Sequence, residues 1–494
     1  MRLEARHLSK SFGECKAVTD VTLDFAPGLI HAVLGENGAG KSTLMKLFFG
    51  LYTPSAGEIL LDGQIMTWRS SLDAIANGLG MVQQHFTLVE TLSVIDNIML
   101  GSEVCASGGR LRREQAIAMI EQRLPSHSLA LPWHETVSRL SVGQKQRLEI
   151  LKLLFRDSTI LFLDEPTAVL TPQEIEEFFQ VLRQLKAQGR TIILITHKIN
   201  EVLALCDTYS VLRAGQVVAR GHVKGIAADE IVHAMIGRKI APLEDQRPLQ
   251  NGPVVLNVRQ VNTGRLRGAS LDVRSGEIVG IAGVEGSGQA ELIDVVMGLC
   301  QFEGQVEVLG QAVAFGNTKQ IRGRGASLIP EDRQAQGLWL EESCYMNMAL
   351  GLEKDFFKSE ILQEKALQSA TSRWAKDFDV RASSLDLPVG ALSGGNQQKI
   401  IFAREVSGHK PKLLLCHQPT RGVDLGAIDL IHRRLIALRN QGVGLLVISS
   451  ELDELFALCD RILVFFAGRA VAEFSRSQFN HAKIGSAMTG ATHV

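Results

Sequence analysis

Long apolar stretches are missing from this chain. No run of roughly 18 or more apolar residues occurs, which excludes a helix that crosses a membrane on its own. The first residues, MRLEARHLSK, lack the apolar core of a signal peptide and read as a strand. A charge imbalance is missing too: 52 Lys and Arg stand against 53 Asp and Glu, so no bulk charge favours nucleic acid. Cysteine is scarce, at seven residues, an odd number without CxxC spacing. That excludes a disulfide framework and leads us to expect a reduced cytosolic protein with buried thiols. Cys416 and His417 are adjacent, but neighbours on a strand point to opposite faces, which favours core packing over a metal site.

What is present is length and repetition. A chain of 494 residues exceeds one ordinary core, and 45% hydrophobic with 21% charged residues is a globular composition. LSVGQKQRLEI from Leu140 returns as LSGGNQQKIIF from Leu392, NEVLALCD from Asn200 as DELFALCD from Asp453, and GENGAGKST from Gly35 as GVEGSGQAE from Gly283. Three matches in one order at nearly one offset mark a domain duplication. The segment GRKIAPLEDQRPLQNGP, with three prolines and no apolar periodicity, is the expected seam. We therefore expect domains at 1–237 and 254–494 with a linker at 238–253. In each half, apolar runs such as LIHAVLG and TIILIT read as buried strands of a mainly parallel sheet. They alternate with helical patterns such as EIEEFFQVLRQLKAQG, so both halves are α/β. The stretches 96–139 and 342–390 are less strand-like and are expected to form small helical subdomains.

The first copy carries chemistry. GENGAGKS fits G-x-x-x-x-G-K-[ST] and lies between the apolar run IHAVL and the helical TLMKLFFG, the strand–loop–helix context such a loop needs. Gly35, Gly38 and Gly40 let the backbone N–H groups of Glu36, Asn37 and Ala39 curl around phosphates; Lys41 supplies a point charge. Ser42, followed by Thr43, offers a hydroxyl to Mg2+. The strand ILFLDEPT ends in Asp164, suited to the surroundings of Mg2+, and Glu165, able to polarise a water.

With LSVGQKQ between these two motifs and ITHK after them, the chain resembles the ATP-binding subunit of an ABC transporter, over both halves. The resemblance implies tandem P-loop NTPase domains, each with a mainly parallel sheet, an antiparallel β subdomain and a helical subdomain. It implies ATP and Mg2+ as cofactors, Phe12 stacking on adenine, and Gln84 touching Mg2+ and sensing a membrane partner, with Gln83 the less favoured neighbour. It also implies that His197 holds the γ-phosphate and orients the attacking water. In the signature segments, Ser141 and Ser393 each open a helix toward an anion, although an ordinary N-cap would explain either serine. Ser393, Gly394, Gly395 and Asn396 form the fuller version; Val142 replaces a glycine in the other.

In the second copy Lys41 becomes Gln289, Asp164 becomes His417, Glu165 becomes Gln418, His197 becomes Ser450 and Gln84 becomes Glu331. An amide is no general base, so this copy reads as hydrolytically dead. The head-to-tail pairing of similar proteins implies that the intact phosphate loop of one half meets the intact signature of the other. The wider resemblance is to bacterial importers served by a binding protein and integral-membrane permease subunits, which places this chain at the cytoplasmic face of the cell membrane. HQPTRG is similar to the nucleoside branch; monosaccharide import is the alternative. A soluble ATPase acting on ribosomes or DNA is the distant alternative, and the near-zero charge and short, acid-balanced linker argue against it and against a nucleic-acid partner.

Overall fold

Strands that are apolar on both faces need cover on both faces, which a parallel sheet obtains from its crossover helices. Ile30–Leu34, Ile160–Asp164 and Thr191–Thr196 are of this kind, buried along their whole length. The computed structural model describes residues 1–490 except 14, 37, 84–85, 107, 124–130, 168–169, 171, 238–251 and 359–360. The chain divides into two units, Met1–Ala241 and Pro242–Val494. The expected linker therefore lies almost wholly outside the described residues, as do Asn37 and Gln84.

In unit 1 the six-stranded sheet runs, in spatial order, Gln216–His222, Thr208–Arg213, Ile30–Leu34, Thr191–Thr196, Ile160–Asp164, Leu79–Val82. Every neighbouring pair is parallel except the first. A separate antiparallel sheet joins Cys15–Phe25, Leu3–Phe12, Ala56–Leu61 and Gln64–Met66. Along Cys15–Phe25 burial alternates toward the C-terminal end, as expected of a sheet with one wet face. Helix Lys41–Phe48 shares one core with both sheets: Leu44, Leu47 and Phe48 pack with Leu3, Leu8 and Phe25 on one side and Ile160, Phe162 and Ile193 on the other. The Phe48 ring sits 5.7 Å from Phe25 and 5.9 Å from Phe162. Truncating such a buried ring costs about 3–5 kcal/mol, so this stack fixes the helix that carries the phosphate loop.

Unit 2 repeats the architecture. Its six strands are ordered Arg469–Ser475, Arg461–Phe466, Ile278–Ala282, Gly444–Ile448, Leu413–His417, Ala326–Ile329, the same succession element for element. Its antiparallel sheet joins Leu266–Arg274, Val254–Thr263, Glu303–Val308 and Gln311–Ala312. The expected helical subdomains contain helices Val94–Met99 and Arg113–Arg123 in unit 1, and Cys344–Ala349 and Glu364–Asp377 in unit 2. The latter also holds a short hairpin, Phe357–Lys358 with Ile361–Leu362. Among the described residues no helix is long and apolar enough to cross a membrane. All seven cysteines are free, but the expectation of buried thiols is only partly met: Cys15 and Cys105 are exposed, on the antiparallel sheet and in a loop. Cys416 is fully buried, and the adjacent His417 turns instead toward Glu331.

Candidate active site

Parallel register brings the strand ends that carry the phosphate loop, Asp164 with Glu165, and His197 to one edge of the sheet. Leu34 pairs with Thr196 and Asp164 with Ile195, so these three strands end level. Glu165 N–H then donates to the Ile195 carbonyl (2.8 Å), which seats Glu165 beside the segment that carries His197. The carboxyl ends of parallel strands are where α/β sheets bind ligands.

The phosphate loop is held open by its own backbone. Gly40 has φ +101°, and a Cβ there would meet the Ala17 carbonyl at 2.3 Å, so only glycine fits. Lys41 is buried, and its ammonium donates to the carbonyls of Gly35 (2.7 Å) and Glu36 (3.0 Å). Burial lowers the Lys41 pKa; the charges of Glu165, Asp164 and Glu36 resist that. Asp164 is the opposite case. Burial and the adjacent Glu165 charge push its carboxyl up to about 6, with Lys41, Lys46 and a Ser42 hydroxyl bond only partly offsetting them. Two carboxylates side by side in a buried strand end are short of positive charge, and a divalent cation on Asp164 and Ser42 fits that deficit.

Glu165 sits at φ +46°, a left-handed conformation rare for a side chain of this size, which aims its carboxylate out of the strand line. The His197 Nδ1 lies 2.9 Å from Glu165 Oε1. Burial raises the Glu165 pKa, but the hydrogen bond and charge of His197, with Lys41 and Lys198, outweigh it and hold the carboxyl below its ordinary range. Glu165 is therefore ionised at neutral pH, so His197 donates to it from Nδ1. Phe12 stands apart from this cluster, 44% exposed on the antiparallel sheet.

Sequence reasoning missed two features here. Phe12 is half of an aromatic platform: Tyr52 lies edge-on at 5.1 Å, with the Lys10 ammonium 5.2 Å from the Phe12 ring and Lys46 5.5 Å from the Tyr52 ring. Nothing in the local sequence marks Tyr52, which lies in the loop between helix Lys41–Phe48 and strand Ala56–Leu61 and meets Phe12 only in the folded unit. The second is Glu201, buried, which accepts from Thr167 Oγ (2.5 Å) and Thr196 Oγ (3.4 Å) and so ties the loop after Glu165 to the helix after His197. A signal existed: the repeat keeps the pair, with Thr420 donating to Glu454 at 2.8 Å.

Unit 2 keeps the shape and not the charges. Gln289 Nε2 donates to the Val284 carbonyl (3.1 Å), closing its loop as Lys41 does through Glu36. Gln418 has φ +51°, and its N–H donates to Ile448, as at Glu165. Its amide oxygen accepts from Ser450 N (3.2 Å) and Oγ (3.3 Å), in place of the Glu165–His197 contact. Ala290 stands where Ser42 would be, and Glu331 is engaged by Arg421 at 2.7 Å.

The two signature segments also differ in structure. Ser141 forms a complete capping box with Gln144, its hydroxyl accepting from Gln144 N (3.3 Å), and Val142 is 43% exposed at the helix start. Ser393 makes no such bond to backbone; its hydroxyl accepts instead from the Asn396 side chain (3.0 Å). The first N–H groups of helix Gly394–Phe402 are thus left without a side-chain cap, the condition for holding an anion.

A family model described as ABC transporter matches residues 18–168 and again 266–421. A nucleoside import ATP-binding protein of Lactococcus lactis subsp. cremoris is 39% identical over 492 residues, covering 98% of this chain and 97% of that protein. A guanosine import ATP-binding protein of Bacillus subtilis is 39% identical, covering 99% and 98%, and a ribose import ATP-binding protein of Streptomyces avermitilis is 36% identical, covering 99% and 97%. A phosphate loop, a strand-end acid pair and a signature segment, in one order in two successive units, agree with that match: this chain belongs to the ABC transporter family, an ATPase that binds ATP.

Proposed function

We propose that this chain is the ATP-hydrolysing subunit of a binding-protein-dependent importer, that its permease partners are integral-membrane subunits, and that it works at the cytoplasmic face of the membrane. The observation that carries the catalytic reading is the 2.9 Å Glu165–His197 contact beside the Lys41 loop. Lys41 places positive charge at the β and γ phosphates. Glu165, ionised, polarises the attacking water, and His197 Nε2 orients it at the γ-phosphate. Ser42, Asp164 and Gln84 are the residues that would hold Mg2+, which supplies positive charge at the β and γ oxygens when bound. Phe12 carries the adenine on its exposed face. The domains are read as 1–237 and 254–494, joined by 238–253. The uncapped segment Ser393–Asn396 is read as nucleotide-binding.

The proposed cargo is a nucleoside. The support is the nucleoside and guanosine names of two relatives at 39% identity and the QPTRG strand end. A ribose-import relative at 36% identity favours a monosaccharide as the second reading. The test is ATPase stimulation of the transporter reconstituted with its permease and binding protein, titrated with nucleosides, pentoses and hexoses. Stimulation by nucleosides alone supports the first reading. Stimulation by a sugar alone replaces it with the second.

A further inference from the structure

The residues that displaced the cation-binding set in unit 2 are connected. His417 Nε2 lies 3.5 Å from Glu331 Oε2, and Glu331 Oε1 accepts from Arg421 Nη1 at 2.7 Å. The Arg421 carbonyl accepts in turn from Arg333 Nη1 at 2.8 Å. The far side of the Arg333 guanidinium rests on the signature segment, where a Cβ built on Gly394 would come 2.5 Å from Nη2 and 3.1 Å from Cζ. A Cβ at 394 would thus require the guanidinium to shift from this seat, whereas the φ of Gly394 is not one that demands glycine. No ion pair holds Arg333 among the described residues, and its Nε is buried without a partner, an arrangement that costs about 1–3 kcal/mol. In unit 1 both members of the contact are changed together: Phe86 stands in place of Arg333, and Val142 in place of Gly394. Valine at 394 would displace the guanidinium from this seat.

We propose that Arg333 is a positioning residue for ATP turnover: it fills the space left by Gly394 and struts Ser393–Asn396 against the loop that follows the degenerate strand end. The lost catalytic acids of unit 2 have on this account been replaced by the root of that strut, His417–Glu331–Arg421. The inference rests on the reading of Ser393–Asn396 as nucleotide-binding. It goes beyond that reading in naming what holds the segment and why one copy has glycine where the other has valine.

The experiment is a mutant cycle on steady-state ATPase of the assembled transporter, with Arg333→Ala, Gly394→Ala, the double variant and Arg333→Lys. Arg333→Ala should lower kcat about tenfold with KM for ATP within about twofold, the mark of an interaction made in the transition state. Lysine should recover part of the loss. Gly394→Ala should cost about as much as Arg333→Ala, and the double variant no more than either, a coupling of about tenfold or about 1.4 kcal/mol. Losses that multiply to about a hundredfold in the double variant overturn the strut, as does wild-type turnover in Arg333→Ala. Should Arg333→Ala fail to fold, Arg333→Gln takes its place in the same cycle. Ser393→Arg separates the two levels. If it leaves turnover intact, the signature reading fails; if it abolishes turnover while the cycle is multiplicative, only the strut fails.

Discussion

Asp164 is placed where its charge is useful with a cation and costly without one. Raising its pKa from 3.8 to about 6 withholds roughly 3 kcal/mol from folding at neutral pH, at about 1.4 kcal/mol for each tenfold change in proton affinity. Asp164→Asn removes the charge but still buries an amide, whose desolvation returns about 1–2 kcal/mol. A net gain of about 1–2 kcal/mol remains, or roughly 2–8 °C for a domain of this size. The folded state binds the proton more tightly, so between pH 3.8 and about 6 stability falls as pH rises, and the penalty is complete above about pH 6. Scanning calorimetry of the full chain in EDTA should therefore show the variant melting higher than wild type at pH 8, with the gap nearly closed at pH 5, where the Asp164 penalty has fallen to roughly half and the amide cost offsets it. Mg2+ with ATP should raise the wild-type transition and leave the variant nearly unmoved, and the variant should lose turnover. A variant that melts lower than wild type at pH 8, or a gap indifferent to pH, would refute the assignment of a desolvated, under-compensated charge.

Three further outcomes are expected. Glu165→Gln should reduce ATPase of the assembled transporter by about 10²–10⁴-fold while Gln418→Ala changes it little; substantial turnover in Glu165→Gln sinks the catalytic reading. Phe12→Ala should raise KM for ATP about tenfold with kcat kept, as loss of one stacking contact of about 1–3 kcal/mol requires, and Tyr52→Ala should do the same more weakly; an unchanged KM removes the platform from the site. Glu201→Ala strands the buried hydroxyls of Thr167 and Thr196 and should cost about 2 kcal/mol in urea unfolding, whereas Glu201→Gln keeps an acceptor and should stay within about 1 kcal/mol. Equal losses in the two variants would show that Glu201 acts through its charge.

The sequence carried the site's chemistry further than its geometry. Asp164 and Glu165 could be read as a strand end because the apolar run before them is buried on both faces, and Lys41 because glycines at fixed spacing precede it. Tyr52 and Arg333 were not legible, and Glu201 only through the repeat. Their partners Phe12, Gly394 and Thr167 lie 40, 61 and 34 residues away in the chain. Ser141 and Ser393 show the same limit from another side: both sequences are compatible with an N-cap, and only the structure separates a closed capping box from an uncapped helix end.

By itself the sequence determined the duplication, the order of the motifs and which copy lost its lysine and acids, because spacing and side-chain identity are local properties of the chain. The tertiary structure alone decided that Glu165 meets His197, that burial drives Asp164 to about 6, and that Arg333 occupies the room of Gly394. Those facts depend on strand register and on how much water is excluded at the end of the sheet, and neither is set until segments distant in sequence are packed together.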